Sequence, residues 1–156
     1  MDKWKSFDGK FDGKVAIKDV VKMTDTEILA LLHMGALYYS QGRMDQAQVV
    51  LEGVAAVDPD NKYVHAALGA LFARKGANDQ ALESLNKAAK TTPGDIGVYV
   101  NRGEVLFKLG RIDDAAKDFK KALEMDPKKT NPAANRARLI LVGLAAIAQK
   151  AKEKRA

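Results

Sequence analysis

The apolar and polar positions of this 156-residue chain fall into helix-length segments, punctuated by glycine and proline at fixed intervals. Pro59, Pro93 and Pro127 stand 34 residues apart, and Gly35, Gly69 and Gly103 keep the same step. So do Gly42, Gly76 and Gly110, and Ala47, Ala81 and Ala115. Four positions in phase over three cycles mark a stacked repeat, and 34 residues is the length of a helix–turn–helix unit. The pattern predicts units at 28–61, 62–95 and 96–129, each with two helices.

The first helices are expected at about 25–41, 62–75 and 96–109, each stopping near a glycine that tolerates left-handed backbone. Asp45, Asp79 and Asp113 follow three residues after those glycines, at the entry to the second helices. Each second helix is expected to end before its proline, which disfavours helical geometry in the preceding residue. Thr24 and Glu27 form a capping-box pattern, with Met23 and Ile28 placed as a hydrophobic staple. Asn131 and Pro132 read as N-cap and first residue of a closing helix to about Lys154, within a terminal unit 130–156. Residues 1–27 form an N-terminal unit: an arm with Trp4, Phe7 and Phe11, then a short amphipathic helix over Val15–Lys22.

The repeat resembles the tetratricopeptide repeat, with its signature W-x2-L-G-x2-Y, A-x3-F and P. Unit one supplies Leu31, Met34, Gly35, Tyr38, Ala47, Leu51 and Pro59. Unit two supplies His65, Leu68, Gly69, Phe72, Ala81, Leu85 and Pro93, and unit three Tyr99, Arg102, Gly103, Leu106, Ala115, Phe119 and Pro127. The match covers about two thirds of the chain. It implies an all-α fold: a three-repeat right-handed superhelix with an N-terminal helical segment and a C-terminal capping helix. Arg102 replaces the expected Leu and suggests a local salt link or a partly open site.

Composition removes several function classes. Cysteine is absent, so there is no disulfide, thiolate-bound metal or cysteine nucleophile. The ten apolar residues 139–148 are too few for a membrane span, and no secretory signal is visible, so a soluble, cytoplasmic protein is expected. The net charge is +6, and residues 130–156 hold six basic side chains against one acidic. That excess complements the end of a helix more readily than it forms a nucleic-acid footprint. His33 and His65 lack metal-ligand spacing, and His65 takes a structural packing position. No Gly-x-x-x-x-Gly-Lys loop occurs. A non-enzyme without metal or cofactor is expected.

Function then falls to the groove. In the family resembled, positions 2, 5, 6, 9, 12 and 13 of each first helix line the inner face. Unit one gives Leu29, Leu32, His33, Ala36, Tyr39 and Ser40; unit two gives Tyr63, Ala66, Ala67, Ala70, Ala73 and Arg74. Unit three gives Gly97, Val100, Asn101, Glu104, Phe107 and Lys108. Leu32, Ala36, Ala67, Gly97 and Asn101 replace the Lys, Asn and Arg clamp with which some members hold the C-terminal carboxylate of heat-shock chaperones. Small alanines between Tyr39, Tyr63 and Phe107 suggest shallow pockets for an extended apolar peptide, or for the N-terminal arm itself.

The whole plan also resembles the class II chaperones of bacterial type III secretion, which hold hydrophobic translocator subunits before export. Gly13-Lys14-Val15-Ala16-Ile17, Thr24-Asp25-Thr26-Glu27 and Tyr39-Ser40-Gln41-Gly42 carry that likeness. A generic repeat scaffold in another bacterial assembly stays open, as does a nucleic-acid adaptor using the basic tail. Residues 139–148 (LILVGLAAIA) carry no polar side chain. One face is expected to meet unit three and the other the N-terminal segment, a client or, as the leading choice, a second copy of the chain, with Ile140 and Leu144 as the residues to test.

Overall fold

A computed structural model describes residues 23–153; the N-terminal arm and the helix expected over Val15–Lys22 lie outside the described residues. Among the described residues there are seven helices and no strand. The three pairs are α1 (Asp25–Ser40) with α2 (Met44–Val57), α3 (Val64–Lys75) with α4 (Asn78–Thr91), and α5 (Ile96–Lys108) with α6 (Ile112–Glu124). The closing helix is α7 (Pro132–Glu153).

Local chemistry sets the boundaries. Glu27 N–H donates to Thr24 Oγ1 at 3.2 Å while Thr24 N–H donates to the Glu27 carboxylate at 2.8 Å, completing the capping box. Gly42, Gly76 and Gly110 have φ of 77°, 78° and 75°, the left-handed stop that the period placed there. The next residue's N–H in each unit reaches back to the carbonyl of Tyr38, Phe72 or Leu106 at 2.9 Å, so one turn is built three times. Helix α3 starts at Val64, two residues later than expected, because Asn61 Oδ1 accepts from the N–H groups of Tyr63 and Val64. Asn131 Oδ1 does the same for Ala133 and Ala134 at the start of α7.

Within each pair the helices approach closely because the first carries glycine. A Cβ on Gly35, Gly69 or Gly103 would lie 2.8, 2.5 or 2.6 Å from the side chain of Leu51, Leu85 or Phe119. Those three side chains are at most 1% exposed. One core cluster joins pairs one and two and includes Val98 and Val105; a second joins pair three to Ala137, Ile140 and Leu141 of α7. Leu82 and Ala89 pack against both.

First helices touch one another in succession: α1 with α3, α3 with α5, α5 with α7. Among the described residues, the second helices α2, α4 and α6 touch only their flanking first helices. The stack is therefore tighter on the first-helix side, which makes that side concave.

Two buried charges hold the far end. Arg102 donates from Nε and Nη2 to both Asp118 oxygens at 2.7 Å and from Nη1 to Asn86 at 3.0 Å, so the salt link expected at this departure is present. Its hydrogen bonds to Asp118 raise the guanidinium's already high pKa further, against the effect of burial. Asp126, 5% exposed, accepts from the N–H groups of Thr130 and Asn131 and from Arg138 of α7. Burial pushes its carboxyl up, but those backbone donors and the guanidinium outweigh it and hold the group below its ordinary value.

Ile140 and Leu141 of α7 pack against the pair-three core, while Leu139, Val142 and Ile147 are 74%, 68% and 67% exposed. Ile140 is thus on the inward face, and the expectation that Ile140→Glu tests a partner contact is corrected. Leu144 is half-buried. The outward stripe is Leu139, Val142 and Ile147, spaced for one helix face.

Three outcomes are expected in denaturant and thermal unfolding. Gly103→Ala lowers stability by about 1–3 kcal/mol through overpacking. Gly53→Ala in α2, where an added Cβ meets nothing within 4 Å, raises it by up to about 1 kcal/mol. Equal signs for the two would refute the close-approach argument. Arg102→Leu alone costs about 3 kcal/mol because it strands Asp118, and the double change to Leu at both positions costs less than that. Because the folded Asp126 pKa is lowered, its contribution is full above the ordinary carboxylate range and is lost as pH falls through the folded value. Asp126→Asn therefore loses less stability than the native chain between neutral and acid pH.

Candidate functional site

The first helices present a repeating concave surface, and near its C-terminal end it deepens into a cleft of ≈ 430 Å³. Tyr39 of α1 stands at one side, and α3 contributes Ala70, Ala73 and Arg74. Helix α5 contributes Asn101, Glu104, Val105 and Lys108, the i, i+3, i+4, i+7 face of one helix. Arg136 of α7 closes the far side.

Polar contacts knit these helices across the cleft. Arg74 lies 4.9 Å from the centroid of the Tyr39 ring and donates from Nη1 to the Tyr39 carbonyl at 3.2 Å, tying α3 to α1. Arg136 donates from Nε to Glu104 at 2.9 Å and from Nη2 to Asn101 Oδ1 at 3.2 Å, tying α7 to α5. The alanines leave the room: Ala70 and Ala73 have too little side chain to fill the space between those tethers. Val105 belongs to the core and forms the floor.

Seven of the residues assigned to the groove from sequence line this cleft: Tyr39, Ala70, Ala73, Arg74, Asn101, Glu104 and Lys108. The others are placed differently. Leu32 at 9% exposed and Val100 at 0% are core residues, a correction to their reading as groove-lining. They share one repeat position with the half-buried Ala66, and that position faces neighbouring helices in the stack. Ala67 also packs against the core cluster. Leu29, Tyr63 and Phe107 are exposed at 47%, 55% and 40%, and His33 and Ala36 are exposed beside them on α1. Ser40 Oγ donates to the Leu37 carbonyl at 2.8 Å, a local helix-end contact.

The expectation of an apolar groove is also corrected at this end, where three cations and one carboxylate surround the alanines. The sequence reading missed Arg136, which stands one period beyond Arg102 and so at none of the groove positions counted in the three units. Ala137 stands one period beyond Gly103, so α7 occupies the place of a fourth first helix. His65 is 8% exposed with Nε2 2.7 Å from the Pro59 carbonyl oxygen, the structural position expected of it. Among the described residues no three His, Cys, Asp or Glu side chains are placed to hold a metal ion, and no helix is long and apolar enough to cross a membrane.

Tetratricopeptide repeat profiles match the chain over residues 32–96 and 97–129. The chain belongs to the tetratricopeptide repeat family. Folds of this repeat are protein-interaction modules. The comparison with curated proteins gave no match. Among solved structures, the first tetratricopeptide domain of Spaghetti (RPAP3), bound to the HSP90 peptide SRMEEVD, is 27% identical with a TM-score of 0.69, covering 79% of this chain and 97% of that one. SycD, the Yersinia enterocolitica type III secretion translocator chaperone, is 18% identical with a TM-score of 0.71, covering 84% of this chain and 99% of that one. PcrH, a Pseudomonas aeruginosa protein, in complex with the chaperone-binding region of PopD is 23% identical with a TM-score of 0.73, covering 80% of this chain and 95% of that one. At these last two identities the likeness is one of fold.

Proposed function

We propose that this chain is a chaperone that holds an extended segment of a client protein along its concave face. Within that class, we read it as a cytoplasmic chaperone of type III secretion translocator subunits. The observation that carries the peptide reading is the concave run of first helices, with alanine-floored space between Tyr39 and α5 and with Tyr63 and Phe107 left exposed. Exposed aromatics beside small side chains are what peptide anchors need, since each buried anchor contributes well above its neighbours.

The narrower reading is supported by the extent of the overlay, which takes in 99% of SycD and 95% of PcrH in its complex with a segment of PopD. It is supported also by the missing terminal-carboxylate clamp. Of its five positions, Leu32 is a core residue and Ala36, Ala67 and Gly97 offer no side-chain donor. The RPAP3 domain's HSP90 peptide therefore has no equivalent set of donors here. A scaffold in another bacterial assembly is the reading that survives if no secretion client exists.

Co-expression with the translocator subunits encoded in the same genome is the direct test. The chaperone reading expects a soluble complex, and failure to bind any of them leaves the scaffold. Tyr39→Ala, Tyr63→Ala and Phe107→Ala are each expected to weaken client binding by about 1–3 kcal/mol in calorimetry. Leu51→Ala and Phe119→Ala should instead cost about 2–5 kcal/mol of folding stability. Normal binding by all three groove variants would move the site elsewhere.

The bare stripe of α7 supports self-association as the second partner reading, because contiguous apolar surface invites a cover. Val142→Glu is expected to shift sedimentation to a monomer with helix content unchanged. A native chain that is already monomeric at high micromolar concentration would end that reading.

A further inference from the structure

We propose that the cleft between α3, α5 and α7 receives an acidic side chain, Asp or Glu, of the bound client segment. This rests on the reading of the concave face as the peptide site and specifies what that peptide must carry. Arg74, Lys108 and Arg136 line the cleft against the single carboxylate of Glu104. Glu104 is already engaged by Arg136 at 2.9 Å. Arg74 is held in place by the Tyr39 ring and carbonyl, and its only hydrogen bond among the described residues is that one. Lys108 has no hydrogen bond or ion pair among them. Among the described residues, two cations are thus positioned at a concave surface without a compensating anion.

A peptide lying along the groove covers this cleft. A purely apolar segment would take Arg74 and Lys108 out of water with nothing to offset the loss. A carboxylate placed between them accepts charge-assisted hydrogen bonds that strengthen as water is excluded. The Tyr39 contact keeps Arg74 ordered before binding, which lowers the entropic cost of the pairing. Nucleic acid fits less well. A phosphate backbone brings a line of charges, whereas this cluster is a single point interrupted by Glu104.

The test begins with random peptides displayed on phage through their C-termini, so that the only carboxylates offered are side chains. Selected peptides are synthesised with blocked ends, each also with its acidic residue exchanged for the matching amide. Enrichment of Asp or Glu is expected, and the amide exchange should weaken binding roughly tenfold. Arg74→Gln and Lys108→Gln should weaken the acidic peptide and leave its amide form nearly unchanged. Glu104→Gln should tighten the acidic peptide, an effect that a merely structural role for Glu104 would not give. Circular dichroism and thermal unfolding check that each variant folds.

Selected peptides that are apolar, bind as well in amide form and respond only to Tyr39→Ala would overturn this proposal and leave the groove reading standing. Recovery of no peptide would overturn both. Acidic preference seen only with free C-terminal peptides would overturn it in favour of a terminal carboxylate. Tight binding of a labelled single-stranded oligonucleotide, lost in the Arg74 and Lys108 variants, would overturn it in favour of nucleic acid.

Discussion

The stack depends on three glycines that let a large side chain of the second helix lie against the backbone of the first. Leu51, Leu85 and Phe119 occupy the space where Gly35, Gly69 and Gly103 have no Cβ, at 2.5–2.8 Å from the position it would take. Any larger residue forces the pair apart, and interiors packed to crystal density have no slack to absorb that. The same contact repeated at one period gives three nearly equal wedges. Because first helices touch one another from unit to unit and, among the described residues, second helices do not, the wedges add up to a concave face. The concave surface is a consequence of that packing within and between pairs.

Much of this was legible from residues with a single physical use. Glycine at the helix stops, proline after the second helices, the Thr24–Glu27 box and the Asn131–Pro132 start all appear where local chemistry put them. Arg102 was legible too, since a charge at a packing position demands a partner, and Asp118 supplies it. What the period could not supply was rotation between units. It gives each residue an address within its unit, but whether that address faces the groove or the next helix depends on how neighbouring units turn. Hence Leu32 and Val100, assigned to the groove by address, are taken up in the stack, and Ile140 faces inward while Leu139 does not.

The closing helix takes the place of one more first helix. Ala137 sits at the glycine address and is fully buried, so α7 docks on α5 and α6 as another first helix would. No large side chain has to enter its backbone there, and alanine suffices. Its position is fixed at two sides instead: Arg138 reaches the buried Asp126 at the turn, and Arg136 reaches Glu104 and Asn101 on the concave side. Two of the basic residues that give this segment its charge therefore orient the helix. On the outer face, nothing among the described residues covers Leu139, Val142 and Ile147.

On the proposed peptide reading, a repeating groove has a further problem that the charged cleft addresses. Steps of similar shape, such as alanine floors one period apart, let an extended peptide slide from one unit to the next at little cost. Affinity then spreads over several registers and no single complex is specified. Arg74 and Lys108 share one repeat address, which unit one fills with Ser40, so a pair of cations forms where units two and three meet and not where units one and two do. On the proposed reading, an acidic residue of the client lies between both cations in one register only. The mismatch of any other register discriminates through unpaired charge more than through lost contact. The apolar surface near Leu29 and Tyr63 can then stay tolerant of sequence, while the paired cations of α3 and α5 supply the order.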